Sequence, residues 1–94
     1  MPSGLLSDFS DAITDADTSQ QVLAANASRN YLLFLNVSDS DMWINFGADA
    51  TAGQPSIKIV SGGSYEMGVP GFVPIDSMHV LCAIADAEFT CKQG

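Results

Sequence analysis

Positive charge is scarce in this 94-residue chain, which has three lysine and arginine residues against eleven acidic ones. The formal net charge of -8 would repel the phosphates of nucleic acids and the headgroups of anionic membranes. The chain also lacks an apolar run long enough to cross a bilayer, and its first residues lack the basic start and apolar stretch of an export signal. We therefore expect a soluble, unexported protein that binds neither nucleic acid nor membrane.

The residue types on which most catalytic and metal sites depend are also few. His79 is the only histidine, and Cys82 and Cys91 are the only cysteines, with no CxxC pair. Gly62-Gly63 lacks the lysine of a phosphate-binding loop, and Asp39-Ser40-Asp41 lacks the rest of a calcium loop. We expect no enzyme, no cofactor and no metal site, although scattered acids leave a hydrolase with paired carboxylates as a minor alternative.

What the chain does contain indicates a β-protein. Apolar residues make up 47% and charged residues 15%, which is enough apolar material for one packed core. Turn residues, including eight glycines and four prolines, separate short runs of β-branched and aromatic residues. The pattern predicts an all-β fold, a small antiparallel β-sandwich of about seven strands, jelly-roll-like or Ig-like. The predicted strands are Gln20–Ala24, Tyr31–Val37, Met42–Phe46, Ser56–Val60, Ser64–Met67, Ser77–Ile84 and Glu88–Lys92.

The first seventeen residues differ from the remainder and are expected to form an acidic N-terminal arm, with the β-sandwich domain in residues 18–94. Leu5, Phe9 and Ile13 recur at a spacing of four, which predicts one face of a helix. A short helix is marginal by itself, so the arm would dock on its own domain or on a neighbouring subunit. A frayed terminus is the alternative.

The segment Tyr31–Leu35 is apolar on both faces of its predicted strand. If Tyr31, Leu33, Leu35 and Val37 face the core, then Leu32 and Phe34 face outward, where the arm or another subunit would have to cover them. The residues predicted to contact other proteins are therefore Leu5, Leu6, Phe9, Ile13, Leu32 and Phe34.

The two cysteines and three aromatic residues leave alternatives open. A hairpin turning at Asp86-Ala87 would place Cys82 opposite Cys91, although buried free thiols are favoured over a disulfide in an unexported chain. Trp43, Tyr31 and Tyr65 could form a platform for sugars, while filling the core or an interface is the favoured interpretation.

Six segments of the sequence form a further pattern, whose motifs are structural rather than catalytic. They are Leu23–Leu33, Asn36–Asp39, Trp43–Gly47, Ser56–Lys58, Gly62–Glu66 and Phe89–Gly94. Together these segments resemble small β-sandwich structural proteins of tailed bacteriophages, including capsid decoration (cement) proteins. The resemblance covers about Ser19–Gly94 and leaves the arm outside, and cysteines at positions 82 and 91 are not part of its pattern.

The resemblance implies a protein on the outer surface of a phage head, made in the host cytoplasm, that bridges major capsid protein subunits. It also implies a homo-oligomer, with a trimer slightly preferred over a dimer. The alternative function is a carbohydrate-binding module of a phage fiber or tail component.

Overall fold

The computed structural model describes residues 6–94, which form nine β-strands. This part of the chain contains no helix, and therefore no helix that could span a membrane. The seven predicted strands correspond to β3 to β9, with ends displaced by at most two residues. The strands are β1 (Ser7–Asp8), β2 (Asp11–Ala12), β3 (Gln20–Leu23), β4 (Tyr31–Asn36), β5 (Met42–Phe46), β6 (Ile57–Ile59), β7 (Ser64–Gly68), β8 (Met78–Cys82) and β9 (Glu88–Gln93).

The strands form two antiparallel sheets that pack face to face. In the first sheet, the order is β1-β9-β4-β7, and β2 pairs with β9 beyond β1. In the second sheet, the order is β3-β8-β5-β6. Because β1 and β2 lie along the same edge of β9, they act as one interrupted strand. The resulting order of eight strands, with the chain passing between the sheets, is that of a jelly roll, so the all-β sandwich prediction is confirmed.

The N-terminal segment is extended, so the predicted helix is wrong. β1 and β2 pair with β9, and the amides of Phe9 and Ile13 donate to the carbonyls of Cys91 and Ala87 at 2.7 and 2.9 Å. A spacing of four is also a multiple of the strand period of two, so the pattern fits one face of a strand equally well. Pairing with the free edge of β9 selects the extended form.

The inward face of β4 is the opposite of the one predicted. Leu32 and Phe34 are completely buried, whereas the four residues predicted to face the core are not. Tyr31, Leu33 and Leu35 are half-buried on the outer face, and Val37 is 50% exposed just after the strand. Phe34 stacks on Phe89 with ring centroids 5.3 Å apart. Both rows of β4 are apolar, so alternation alone could not identify the inward row.

The inward row of β4 also contains a buried polar residue. Asn36 belongs to the inward row, and its side-chain amide donates to the carbonyls of Ser40 at 2.6 Å and Ile59 at 3.0 Å. Its side-chain oxygen accepts from the amide and hydroxyl of Ser38 at 3.0 and 2.7 Å. Because these bonds satisfy the side chain, Asn36 can be buried and can fix the turn into β5.

The expected hairpin between β8 and β9 does not form. β8 belongs to the second sheet and β9 to the first, so residues 83–87 cross from one sheet to the other. Cys82 lies opposite Met42, and Cys91 lies opposite Phe34. Both thiols are free and fully buried in the core, as the favoured interpretation predicted.

Candidate interaction surfaces

The residues predicted to contact other proteins do not form one surface. Leu32 and Phe34 are core residues, and Ile13 is only 1% exposed within the same core. These three are therefore unavailable to a partner of the folded chain. Leu6 and Phe9 remain exposed along the β9 edge.

The remaining member of that predicted set, Leu5, lies outside the described residues.

The potentially reactive side chains are dispersed. Within residues 6–94, no three His, Cys, Asp or Glu side chains converge as they would to hold a metal ion. His79 lies half-buried on the outer face of β8, where its Nε2 is 3.0 Å from the hydroxyl of Ser77. Burial raises the pKa of the Cys91 thiol to about 12, so this group is protonated and weakly nucleophilic at neutral pH.

The three aromatic residues of the suggested sugar platform occupy different parts of the sandwich. Trp43 lies on the outer face of the second sheet, where Lys58 Nζ is 5.7 Å from its ring. Tyr31 lies on the outer face of the first sheet and donates to Glu66 at 2.6 Å. Tyr65 projects between the sheets, with its ring 5.7 Å from that of Phe46. The three rings therefore do not form one platform, which was the less favoured of the two interpretations of these residues.

One end of the sandwich combines exposed apolar residues with a high density of negative charge. We call it the acidic end, formed by residues 13–19, 37–41, 60–63 and 83–88. It exposes Val37, Val60 and Ile84, and Val37 and Ile84 line the same shallow depression. No base occurs in these four segments. Six of the eleven acids of the chain lie there: Asp15, Asp17, Asp39, Asp41, Asp86 and Glu88.

Hydrogen bonds between its segments hold the acidic end in shape. The amide of Asp17 donates to the carbonyl of Cys82, and that of Asp86 to the carbonyl of Ile13, each at 2.8 Å. The hydroxyl of Ser61 donates to the carbonyl of Ser38 at 2.6 Å. The surface is therefore built before any partner arrives, which lowers the conformational entropy lost on binding.

The opposite end carries a second apolar surface, on the loop between β7 and β8. We call residues 69–77 the Phe72 loop. Phe72 is 76% exposed, and Val69 and Ile75 are about half exposed. An aromatic side chain so open to water has left its apolar area uncovered, which is typical of a contact point for another molecule.

Arg29 fixes the base of the Phe72 loop. The side chain is buried, and its Nη1 donates to the carbonyls of Pro74 at 2.7 Å and Asp76 at 3.1 Å. Nη2 donates to the carbonyl of Ala24 at 3.0 Å, and Nε donates to the side-chain oxygen of Gln93 at 2.6 Å. Sequence reasoning missed this role because a single arginine among polar turn residues gives no local signal.

Comparisons with known proteins give a likeness of fold. No family model matches the chain, and no curated protein is significantly similar to it. A solved structure reported under the words "Bacillus endospore appendages form a novel family of disulfide-linked pili" is similar, with a TM-score of 0.57 and 21% identity. The similarity covers 95% of this chain and 83% of that chain, so the two share their fold across nearly the whole sandwich.

Proposed function

We propose that this chain is a structural subunit of a virion, a bacteriophage capsid decoration protein that binds the outer head surface and stabilises contacts between major capsid protein subunits. The observation that carries the proposal is the acidic end, where exposed Val37, Val60 and Ile84 stand among six acids. The sequence resemblance to phage structural proteins supports the choice of virion. The fold it shares with an appendage protein supports a structural role.

The chemistry of the acidic end suits a basic protein surface. Its valine and isoleucine side chains would lose exposed apolar area on contact, which favours binding. The acids around them would meet lysine or arginine residues of the major capsid protein, and such complementarity speeds encounter and selects the partner. Binding should therefore weaken as salt concentration rises.

The N-terminal strands offer a supplementary contact. Leu6 and Phe9 are exposed along the β9 edge and can reach a neighbouring subunit, whereas Ile13 anchors the segment in the core. Deleting the whole arm would remove Ile13 as well, so Leu6→Ser and Phe9→Ser test the contact more cleanly. Weaker binding to heads by these variants would support it, and unchanged binding would remove the arm from the proposal.

Cosedimentation with phage heads that lack the protein tests the proposal. We expect saturable binding of the wild type, and loss of most binding in the double variant Val37→Ser and Ile84→Ser. Ile57→Ser is the matched control, because Ile57 is 39% exposed on the edge strand β6, away from the acidic end. Equal binding by the double variant and the control would contradict the role of the acidic end, and absence of wild-type binding would contradict the function.

A second candidate, a subunit of a surface appendage, is favoured by the likeness to the pilus structure. In this case the subunits would join without Cys82 and Cys91, because both thiols are in the core. Electron microscopy of the concentrated protein tests this candidate. Filaments that persist in a reducing agent would support it, and discrete particles alone would contradict it.

A further inference from the structure

The Phe72 loop presents the most exposed large apolar side chain among residues 6–94. We propose that this loop is the surface through which copies of the chain bind one another. The inference rests on the proposed function insofar as both require the chain to act as a subunit. The loop takes the role that the sequence analysis gave to Leu32 and Phe34, which are buried within one copy and cannot contact another.

The loop is held rigidly enough to act as a preformed contact. The amide of Val69 donates to the carbonyl of Asn30 at 3.1 Å, and the amide of Asn26 donates to the carbonyl of Ile75 at 2.8 Å. Val73 packs against the core, and Arg29 binds the carbonyls that follow it. Phe72 is thus displayed on a fixed base, so little conformational entropy is lost when it is covered.

The distribution of charge favours a second copy as the occupant of the loop. Two chains that each carry a charge of -8 repel one another, and the repulsion is weakest where the contacting surfaces carry the fewest charges. The Phe72 loop carries a single charged side chain, Asp76 near its end, and residues 67–75 carry none, whereas the acidic end holds six acids. A basic partner would gain little electrostatically from the loop, while a second copy can approach there with least repulsion.

The two surfaces lie at opposite ends of the sandwich, so they can be occupied together. β4 runs from the Phe72 loop, where Tyr31 pairs with Gly68, to the acidic end, where Asn36 pairs with Phe89. Copies joined through the loop would each keep an acidic end free. An oligomer with several acidic ends would bind a particle more tightly than a single copy does. Once one acidic end is bound, binding of the next is intramolecular.

Sedimentation velocity of the purified protein across a concentration series tests the inference without any head particle. We expect the wild type to form species that are multiples of the 9.9 kDa chain. Phe72→Ser should weaken self-association by about tenfold or more, with Val69→Ser acting in the same direction. The matched control Ile57→Ser should leave it unchanged. Raising the salt concentration should strengthen self-association, because it screens the repulsion between copies.

Two results would overturn self-association through the Phe72 loop. A wild type that stays monomeric, or a Phe72→Ser variant that associates as the wild type does, would overturn the inference. Circular dichroism of the variants guards against loss of folding, which is not expected at so exposed a position. Self-association that depends on Phe72, together with failure to bind heads, would support the inference and overturn the proposed decoration function. Head binding by a protein that stays monomeric would support the decoration function and overturn the inference.

Discussion

At the scale of single residues, Arg29 shows how a charge can be buried without a carboxylate partner. Its guanidinium donates to three backbone carbonyls and one side-chain amide oxygen. Burial lowers its pKa, although arginine remains charged at any pH at which proteins fold. These hydrogen bonds offset the loss of hydration and connect two loops with the end of β9.

Replacing Arg29 with lysine should destabilise the fold by about 2–3 kcal/mol, because one ammonium group cannot reach acceptors that a planar guanidinium reaches. Urea unfolding measures this change. Lys58→Met is the control, since the 3.4 Å ion pair of Lys58 with Asp41 is exposed and should cost less than about 1 kcal/mol. Equal losses in the two variants would contradict the structural role of Arg29.

Cys91 should make stability depend on pH in the alkaline range. The thiol has a pKa of 9.0 in an unfolded chain, and burial raises its pKa to about 12 in the fold. Between pH 9 and pH 12, the folded state therefore binds more protons than the unfolded state. The contribution of this thiol to the free energy of unfolding should therefore be fully present below pH 9. Above pH 9 it should fall, by at most about 1.4 kcal/mol per pH unit. Urea unfolding at pH 8 and pH 10 checks this prediction, and Cys91→Ala should reduce the difference between the two.

The same burial predicts that neither thiol is accessible. A thiol reagent should leave Cys82 and Cys91 unmodified in the native protein and modify both in denaturant. Rapid modification of the native protein would contradict the placement of the cysteines in the core.

At the scale of elements, strand positions follow from the sequence, while strand faces and partners do not. β3 to β9 were predictable because turn residues and β-branched or aromatic runs alternate along the chain. The inward face of β4 was not, because Leu32 and Leu33 are equally apolar. The crossing at residues 83–87 was not, because a short loop suits both a hairpin and a passage between sheets.

The N-terminal segment gives the sharpest test at this scale. Ile13→Ala should destabilise the fold by about 2–4 kcal/mol, because it opens a cavity in the core. Leu6→Ser should cost less than about 0.5 kcal/mol, since Leu6 is exposed. Chemical denaturation measures both changes. An N-terminal segment that did not pack on its own domain would leave the Ile13 variant as stable as the wild type, which would contradict the structure.

At the scale of the whole molecule, the two ends of the sandwich differ in charge and should respond to salt in opposite ways. Contacts of the acidic end with a basic surface should weaken as salt rises from about 50 to about 500 mM, while contacts between Phe72 loops should strengthen. The sequence revealed the acidity but not its distribution. Six acids from four distant segments gather at one end only because the jelly roll brings those loops together.

Quantitative cosedimentation with undecorated heads, using the wild-type protein and the Val37→Ser, Ile84→Ser double variant side by side, tests whether the acidic end binds the head surface. We expect the wild type to saturate at a fixed ratio to the major capsid protein and the double variant to stay largely in the supernatant. A wild type that stays in the supernatant at low salt, or a double variant that saturates at the same ratio and concentration, would contradict it.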